Sequence, residues 1–308
     1  MKISPESLAK ATIEKSEPLL AEEDIIDINP EEKKSEVPVL VAPGWGKMLG
    51  TVKTNLLGVI ADRGGRRVLA ADYPRTMKIE TADLPEGLPQ QELQKAAALL
   101  ELLETKGIEQ TDAVGHSEGG LYLPLAACLA PEKFRNLVLV SPAGLIGQDS
   151  FLSLAYRFMI KEGSKSTLAK AAEPGELIKT FWEYAGKHPV MAIKEAKQIS
   201  EADVYELLKY LKKQGIHISI IATNNDDVFV MEKIQEQYRK EKAASNIQDY
   251  SEVMDGFYST LGTHGEAIGH GEDLPAQKMP RAIVGALEAL ENKSEKERIA
   301  ESSESEAR

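Results

Sequence analysis

The sequence predicts an α/β fold, a mostly parallel central sheet flanked by helices and interrupted by a helical insertion. Two observations carry this. Short, uninterrupted apolar runs recur along the 308 residues, the pattern of strands buried on both faces. Helical patterns separate most of these runs, and strand alternating with helix builds a parallel sheet. Composition agrees, with 42% hydrophobic and 28% charged residues, which excludes disordered and collagen-like chains. A single cysteine, Cys128, excludes an internal disulfide and fits a reducing compartment.

Residues 1–36 form an acidic segment in which Leu8, Ile13 and Leu20 have helical spacing broken by Pro18. Ile25, Ile26 and Ile28 suit a short edge strand before Pro30. Strands are then expected at residues 37–42, 67–71, 112–115, 137–141, 218–222 and 257–261, most of them ending at turn-forming residues such as Pro43-Gly44 and Asp72-Tyr73-Pro74. Helices are expected at residues 52–61, 90–105, 121–130 and 231–240. A closing helix follows at 280–291, where Ile283, Val284, Leu287 and Leu290 share one face. Residues 148 to about 213 break the alternation with several helical segments and no strand, and read as an insertion between two strands. Residues 291–308 are mostly Ser, Glu, Lys and Arg and read as a frayed helix end and disordered tail.

The formal charge is −12, of which the first 36 and last 18 residues carry −7. Such a surface does not attract phosphate backbones, so no nucleic-acid partner is expected. No apolar run approaches the roughly 18 residues that span a bilayer, and the N-terminus lacks the basic-then-apolar layout of a signal peptide. A cytoplasmic location is therefore expected.

Chemistry concentrates at Gly115-His116-Ser117-Glu118-Gly119. This is Gly-x-Ser-x-Gly, placed between an apolar strand and a helical run, the context of a nucleophile elbow. The serine sits on a strained turn that holds its hydroxyl out at the end of the sheet. Glycines two residues to either side avoid crowding that turn, and the helix N-terminus behind it favours developing negative charge. Glu118 offers its backbone N–H there, with no role required of its side chain. Pro124 falls past the first turn of the following helix, where proline disturbs helical hydrogen bonding, so that helix is expected to kink or to start late. No His-Glu-x-x-His or Gly-rich phosphate loop occurs, and neither a metal nor a cofactor is implied.

With these pieces in order, residues 37–290 resemble the α/β-hydrolase family. The resemblance implies that residues 37–46, ending Pro43-Gly44-Trp45-Gly46, form the early strand and oxyanion loop, although the family usually has His-Gly where Pro43-Gly44 stands. The backbone N–H groups of Trp45 and Glu118 would then form the oxyanion hole. The family order of serine, acid, histidine implies an acid after the first strand beyond the insertion. Asp226 fits best, with Asp227 as the register-shifted alternative and Asp149, after the preceding strand, as a third. The base follows the last strand as His264, with His270 one loop further on as the alternative. His116, His188 and His217 are assigned packing or surface roles.

The resemblance also makes residues 148–213 a lid. Its large apolar groups, among them Phe151, Leu154, Phe158, Phe181 and Trp182, imply a small-molecule substrate with an apolar part, a carboxylic ester or thioester. Its lysines, including Lys194, Lys209 and Lys212, read as a solvated helix face. The same constellation serves aminopeptidases, carbon–carbon bond hydrolases and acyltransferases, and non-catalytic binding proteins share the fold. A serine nucleophile, in place of Asp or Cys, disfavours the family's epoxide hydrolases, haloalkane dehalogenases and dienelactone hydrolases.

Overall fold

The structure, a computed structural model, describes residues 3–8, 18–45, 56–71, 89–162, 185–262, 264 and 278–306. Seven strands form one sheet: β1 (Ile25–Ile28), β2 (Val39–Ala42), β3 (Val68–Ala71), β4 (Thr111–His116), β5 (Phe134–Val140), β6 (His217–Thr223) and β7 (Gly256–Thr260). Their order is β1-β3-β2-β4-β5-β6-β7. The edge pair β1–β3 is antiparallel and every other pair is parallel. Each expected strand therefore has its counterpart, within a few residues.

Helices cover both faces: α1 (Pro5–Leu8), α2 (Leu56–Gly64), α3 (Gln90–Thr105), α4 (Gly119–Leu129), α5 (Phe151–Tyr156), α6 (Pro189–Glu201), α7 (Tyr205–Lys213), α8 (Met231–Ala243) and α9 (Lys278–Glu306). Alternate strand residues supply two cores, as the period of two requires. Val39, Val41, Val68, Val138 and Val140 pack with α2 and α9. Leu40, Leu69, Ala113, Leu137 and Leu139 pack with α3, α4 and α7. After β2 the chain moves outward to β3, then returns to place β4 on the other side of β2. The strand order reverses there, at the carboxyl ends of β2 and β4, the place in such sheets where ligands bind.

Three expectations are corrected. First, residues 291–306 are not a disordered tail, because α9 continues to Glu306. Its polar side chains have partners along the amino ends of the central strands. Glu291 accepts from Arg135 at 3.0 Å, Ser294 donates to Asn136 at 3.0 Å, and Glu297 lies 3.2 Å from His217. Most of the described side chains after Glu291 face solvent, as composition suggests, while Glu291 and Ser294 are half-buried against the sheet. Second, α7 is not part of a lid. Leu207, Leu208 and Leu211 are fully buried in the core shared with α4, and Lys209 and Lys212 pair with Glu252 and Asp255 in place of a solvated lysine face. Third, α4 does not start late, because it begins at Gly119 and carries Pro124 within it, which forfeits the bond to the Gly120 carbonyl.

Beneath the sheet, the Asp112 carboxylate is wholly buried. It accepts from Arg66 at 2.5 Å, from Arg135 at 2.7 and 2.8 Å, and from Asn136 at 2.8 Å. Arg135 passes the network on to Glu291 of α9. Removing the anion strands two guanidinium groups, one of them buried, and uncompensated buried charge is the costly case. Asp112→Ala should lower stability by about 3–5 kcal/mol, read as a shift in the urea unfolding midpoint at unchanged slope.

Candidate active site

Ser117 follows β4 with φ of 54°, left-handed backbone that a non-glycine residue adopts only under constraint. The constraint is visible in its hydrogen bonds. The Ser117 N–H donates to the Val140 carbonyl at 3.0 Å, and the Ser117 carbonyl accepts from Gly120 at 3.0 Å and Ala143 at 2.8 Å. The flanking glycines are required by close approach. A Cβ at Gly115 would lie 2.6 Å from the Gly119 carbonyl oxygen, and one at Gly119 only 2.1 Å from the Ala42 carbonyl oxygen. The start of α4 is thus pressed against the end of β2, and a Cβ at Gly44 would lie 3.0 Å from Cβ of Ser117.

The three residues singled out from the carboxyl ends of β4, β6 and β7 come together. His264 Nε2 lies 2.9 Å from Ser117 Oγ, and His264 Nδ1 lies 2.9 Å from Asp226 Oδ2. All three are buried, at 8%, 4% and 5% exposure for Ser117, His264 and Asp226. Asp226 Oδ1 accepts from the backbone N–H groups of Val228 and Phe229, both at 2.8 Å, which fixes the carboxylate in the turn after β6. Burial opposes ionisation of Asp226, but the His264 imidazole, the Phe229 amide and the Ser141 hydroxyl outweigh it and hold its pKa down at about 2.

The alternative acids lie elsewhere. Asp149 pairs with Arg157 and, at 2.9 Å, with Lys233. Asp227 is half-buried beside Asp226, and Asp226 is the one that meets the imidazole. His270 falls outside the described residues, as do Phe181, Trp182 and Tyr184 of the insertion. His116 packs against His264 with ring centroids 5.2 Å apart. Burial first, and the neighbouring imidazole second, lower its pKa to about 3, so it stands as a neutral wall beside His264. Phe229 packs edge-on against the other ring, 5.3 Å away.

Around the elbow, Trp45 leaves the end of β2 and stacks obliquely on Phe158 of the insertion, 5.6 Å between centroids. Leu154 is buried with them, whereas Leu152, Tyr156 and Met159 are exposed. The Glu118 side chain, of which the elbow requires nothing, has a buried partner. Glu118 is buried and its carboxylate lies 2.5 Å from Lys95 Nζ. Sequence reasoning also missed Lys95, Glu92 and Glu195, which are buried here. Glu92 is held well above the usual carboxylate range, by burial foremost and by Glu118 and Glu195 nearby, against the pull of Lys95. Among the described residues no group of His, Cys, Asp and Glu is arranged to hold a metal ion, and no helix is long and apolar enough to cross a membrane.

Because Asp226 ionises more readily folded than unfolded, the unfolded chain binds more protons between the two pKa values. The stability that Asp226 adds is thus complete above its unfolded pKa near 4 and fades as pH falls toward 2. The difference in unfolding free energy between the wild type and Asp226→Asn should shrink by about 2 kcal/mol from pH 5 to pH 2, measured by urea titration at each pH.

No protein-family model and no curated protein matches this sequence. Solved structures do match over most of their length. A bromoperoxidase from Bacillus anthracis aligns with a TM-score of 0.57 at 16% identity, covering 86% of this chain and 94% of its own. A carboxylesterase structure from the thaumarchaeon Nitrososphaera gargenis gives 0.57 at 16% identity, covering 89% and 99%. A variant of the meta-cleavage product hydrolase of Pseudomonas fluorescens gives 0.54 at 15% identity, covering 86% and 93%. Identity this low carries the fold alone, and it agrees with the strand order and the elbow after β4: the chain has the α/β-hydrolase fold.

Proposed function

We propose that this protein is a serine hydrolase that cleaves a carboxylic ester or thioester through an acyl-enzyme, with Ser117 as nucleophile, His264 as general base and acid, and Asp226 as the group that orients the base. The observation that carries the reading is the continuous run from Ser117 Oγ to His264 to Asp226, both links 2.9 Å long. A serine hydroxyl is a weak nucleophile until a base removes its proton. Here Ser117 Oγ adds to the carbonyl carbon as its proton passes to His264 Nε2. Asp226, anionic across the neutral range, holds the Nδ1–H tautomer and stabilises the imidazolium that forms.

Negative charge then develops on the carbonyl oxygen. In this reading it is received by the backbone N–H groups of Trp45 and Glu118, at the end of β2 and the start of α4, where a single such donor is typically worth about 3–4 kcal/mol of transition-state stabilisation. His264 returns the proton to the leaving alcohol or thiol. A water activated by the same imidazole attacks the acyl-enzyme, releasing the acid and restoring Ser117. Phe158, Leu154 and the Trp45 ring beside the elbow favour a substrate with an apolar acyl or alcohol part. The esterase and hydrolase names among proteins of similar fold are consistent with this.

A fluorophosphonate probe should label folded protein at Ser117, mapped by peptide mass spectrometry, and His264→Ala should abolish the labelling. Against p-nitrophenyl esters of graded chain length, Ser117→Ala should lose about 10⁴-fold or more in kcat. Absence of labelling on folded protein would sink the nucleophile assignment. Labelling without ester turnover would retain the activated serine and move the substrate to another acyl or carbon–carbon class.

A further inference from the structure

The two residues proposed to supply the oxyanion donors are joined to each other through their side chains. The Glu118 carboxylate lies 2.5 Å from Lys95 Nζ of α3. The same ammonium lies 2.9 Å from Glu195 Oε1 of α6. The other oxygen of Glu195, Oε2, accepts from the Trp45 indole Nε1–H at 2.8 Å. The path Glu118–Lys95–Glu195–Trp45 is therefore continuous, and its three charged members are buried. A second hold acts on the same loop, where the Tyr122 hydroxyl of α4 donates to the Pro43 carbonyl at 2.5 Å, with Lys95 Nζ 5.8 Å from the centre of that ring.

We propose that Lys95 and Glu195 are positioning residues for the oxyanion hole, bracing the loop after β2 against the nucleophile elbow so that the Trp45 and Glu118 N–H groups keep one separation and orientation. This rests on the serine-hydrolase reading above. The Glu118 N–H is already fixed by the strained turn and the start of α4. Residues 43–45 lie past the end of the β2 ladder, where the bonds from Tyr122 to Pro43 and from Trp45 to Glu195 hold them. Donors act on a developing oxyanion only within about 2.7–3.1 Å of it, and a displacement of about 1 Å costs on the order of 100-fold. Buried ion pairs add little net stability because desolvation offsets their attraction. A buried lysine between the Glu118 and Glu195 carboxylates is better explained by the register it imposes than by the stability it adds. Charge-assisted bonds are short and directional, which suits a brace.

Trp45→Phe tests this by removing one indole N–H while keeping the backbone N–H and an aromatic ring. Glu195→Ala removes the link from the other side. The expected result is a 10- to 100-fold loss of kcat with KM within about twofold. The rate of Ser117 phosphonylation and the affinity for a boronic acid, whose tetrahedral adduct occupies the same hole, should fall in parallel. Lys95→Arg should retain more of all three than Lys95→Met. Should Glu195→Ala fail to fold, Trp45→Phe carries the test. A lower melting temperature with unchanged kcat, or a raised KM with unchanged kcat, overturns the proposal in favour of a packing or pocket-wall role. If wild-type Ser117 does not label at all, the serine-hydrolase reading fails separately. Crystal structures of the wild type and Glu195→Ala then still decide the brace, which an unmoved loop at residues 43–45 overturns.

Discussion

Nothing larger than a hydrogen atom fits between residue 119 and the carbonyl of Ala42. That steric limit is the condition on which the site depends. It lets α4 start directly behind Ser117, brings the turn after β4 against the end of β2, and sets Gly44 beside the Ser117 side chain. The strand order makes the meeting possible, since β2 and β4 are hydrogen-bonded neighbours reached by opposite excursions of the chain. The strain at Ser117 is held by three backbone hydrogen bonds from β5, α4 and the turn after β5. The scaffold, and not the loop itself, thus maintains the reactive conformation.

Two kinds of buried charge surround this point, and they behave differently. Asp226 is ionised because partners converge on it from every side, and His116 is neutral because burial and the adjacent imidazole remove its proton. Between them they leave one ring, His264, with an anion on one nitrogen and a hydroxyl on the other. Behind the elbow, on the α3 side, Glu118, Glu195 and Glu92 gather around Lys95. That group stands away from the Ser117 hydroxyl but is tied to both strands that frame it. At the opposite end of the sheet, Asp112 performs a purely structural version of the same packing with two arginines and an asparagine.

Much of this was legible in the sequence because it is local. Strands buried on both faces read as continuous apolar runs. The elbow is five residues long, and Asp226 and His264 each sit a few residues past an apolar run. The fold followed from those signals together. What escaped reading was long-range polar pairing. Lys95, Glu118 and Glu195 are separated by 23 and 77 positions, and each taken singly is an ordinary surface residue type. The end of α9 failed for the same reason: composition does not show that Glu291 and Ser294 meet Arg135 and Asn136 at the bottom of β5. The amphipathic helix α7 was given to the insertion because periodicity reveals an apolar face but not what covers it.

The position after the serine of Gly-x-Ser-x-Gly carries no demand from the turn itself. In this protein it holds Glu118, which shares one buried ammonium with Glu195 of α6. A lineage that loses any one of Lys95, Glu118 and Glu195 leaves uncompensated charge in the interior, so the three should be inherited or replaced together. For anyone transplanting this elbow into another scaffold, the heritable unit is not a pentapeptide but a pentapeptide with one residue from each of two distant helices.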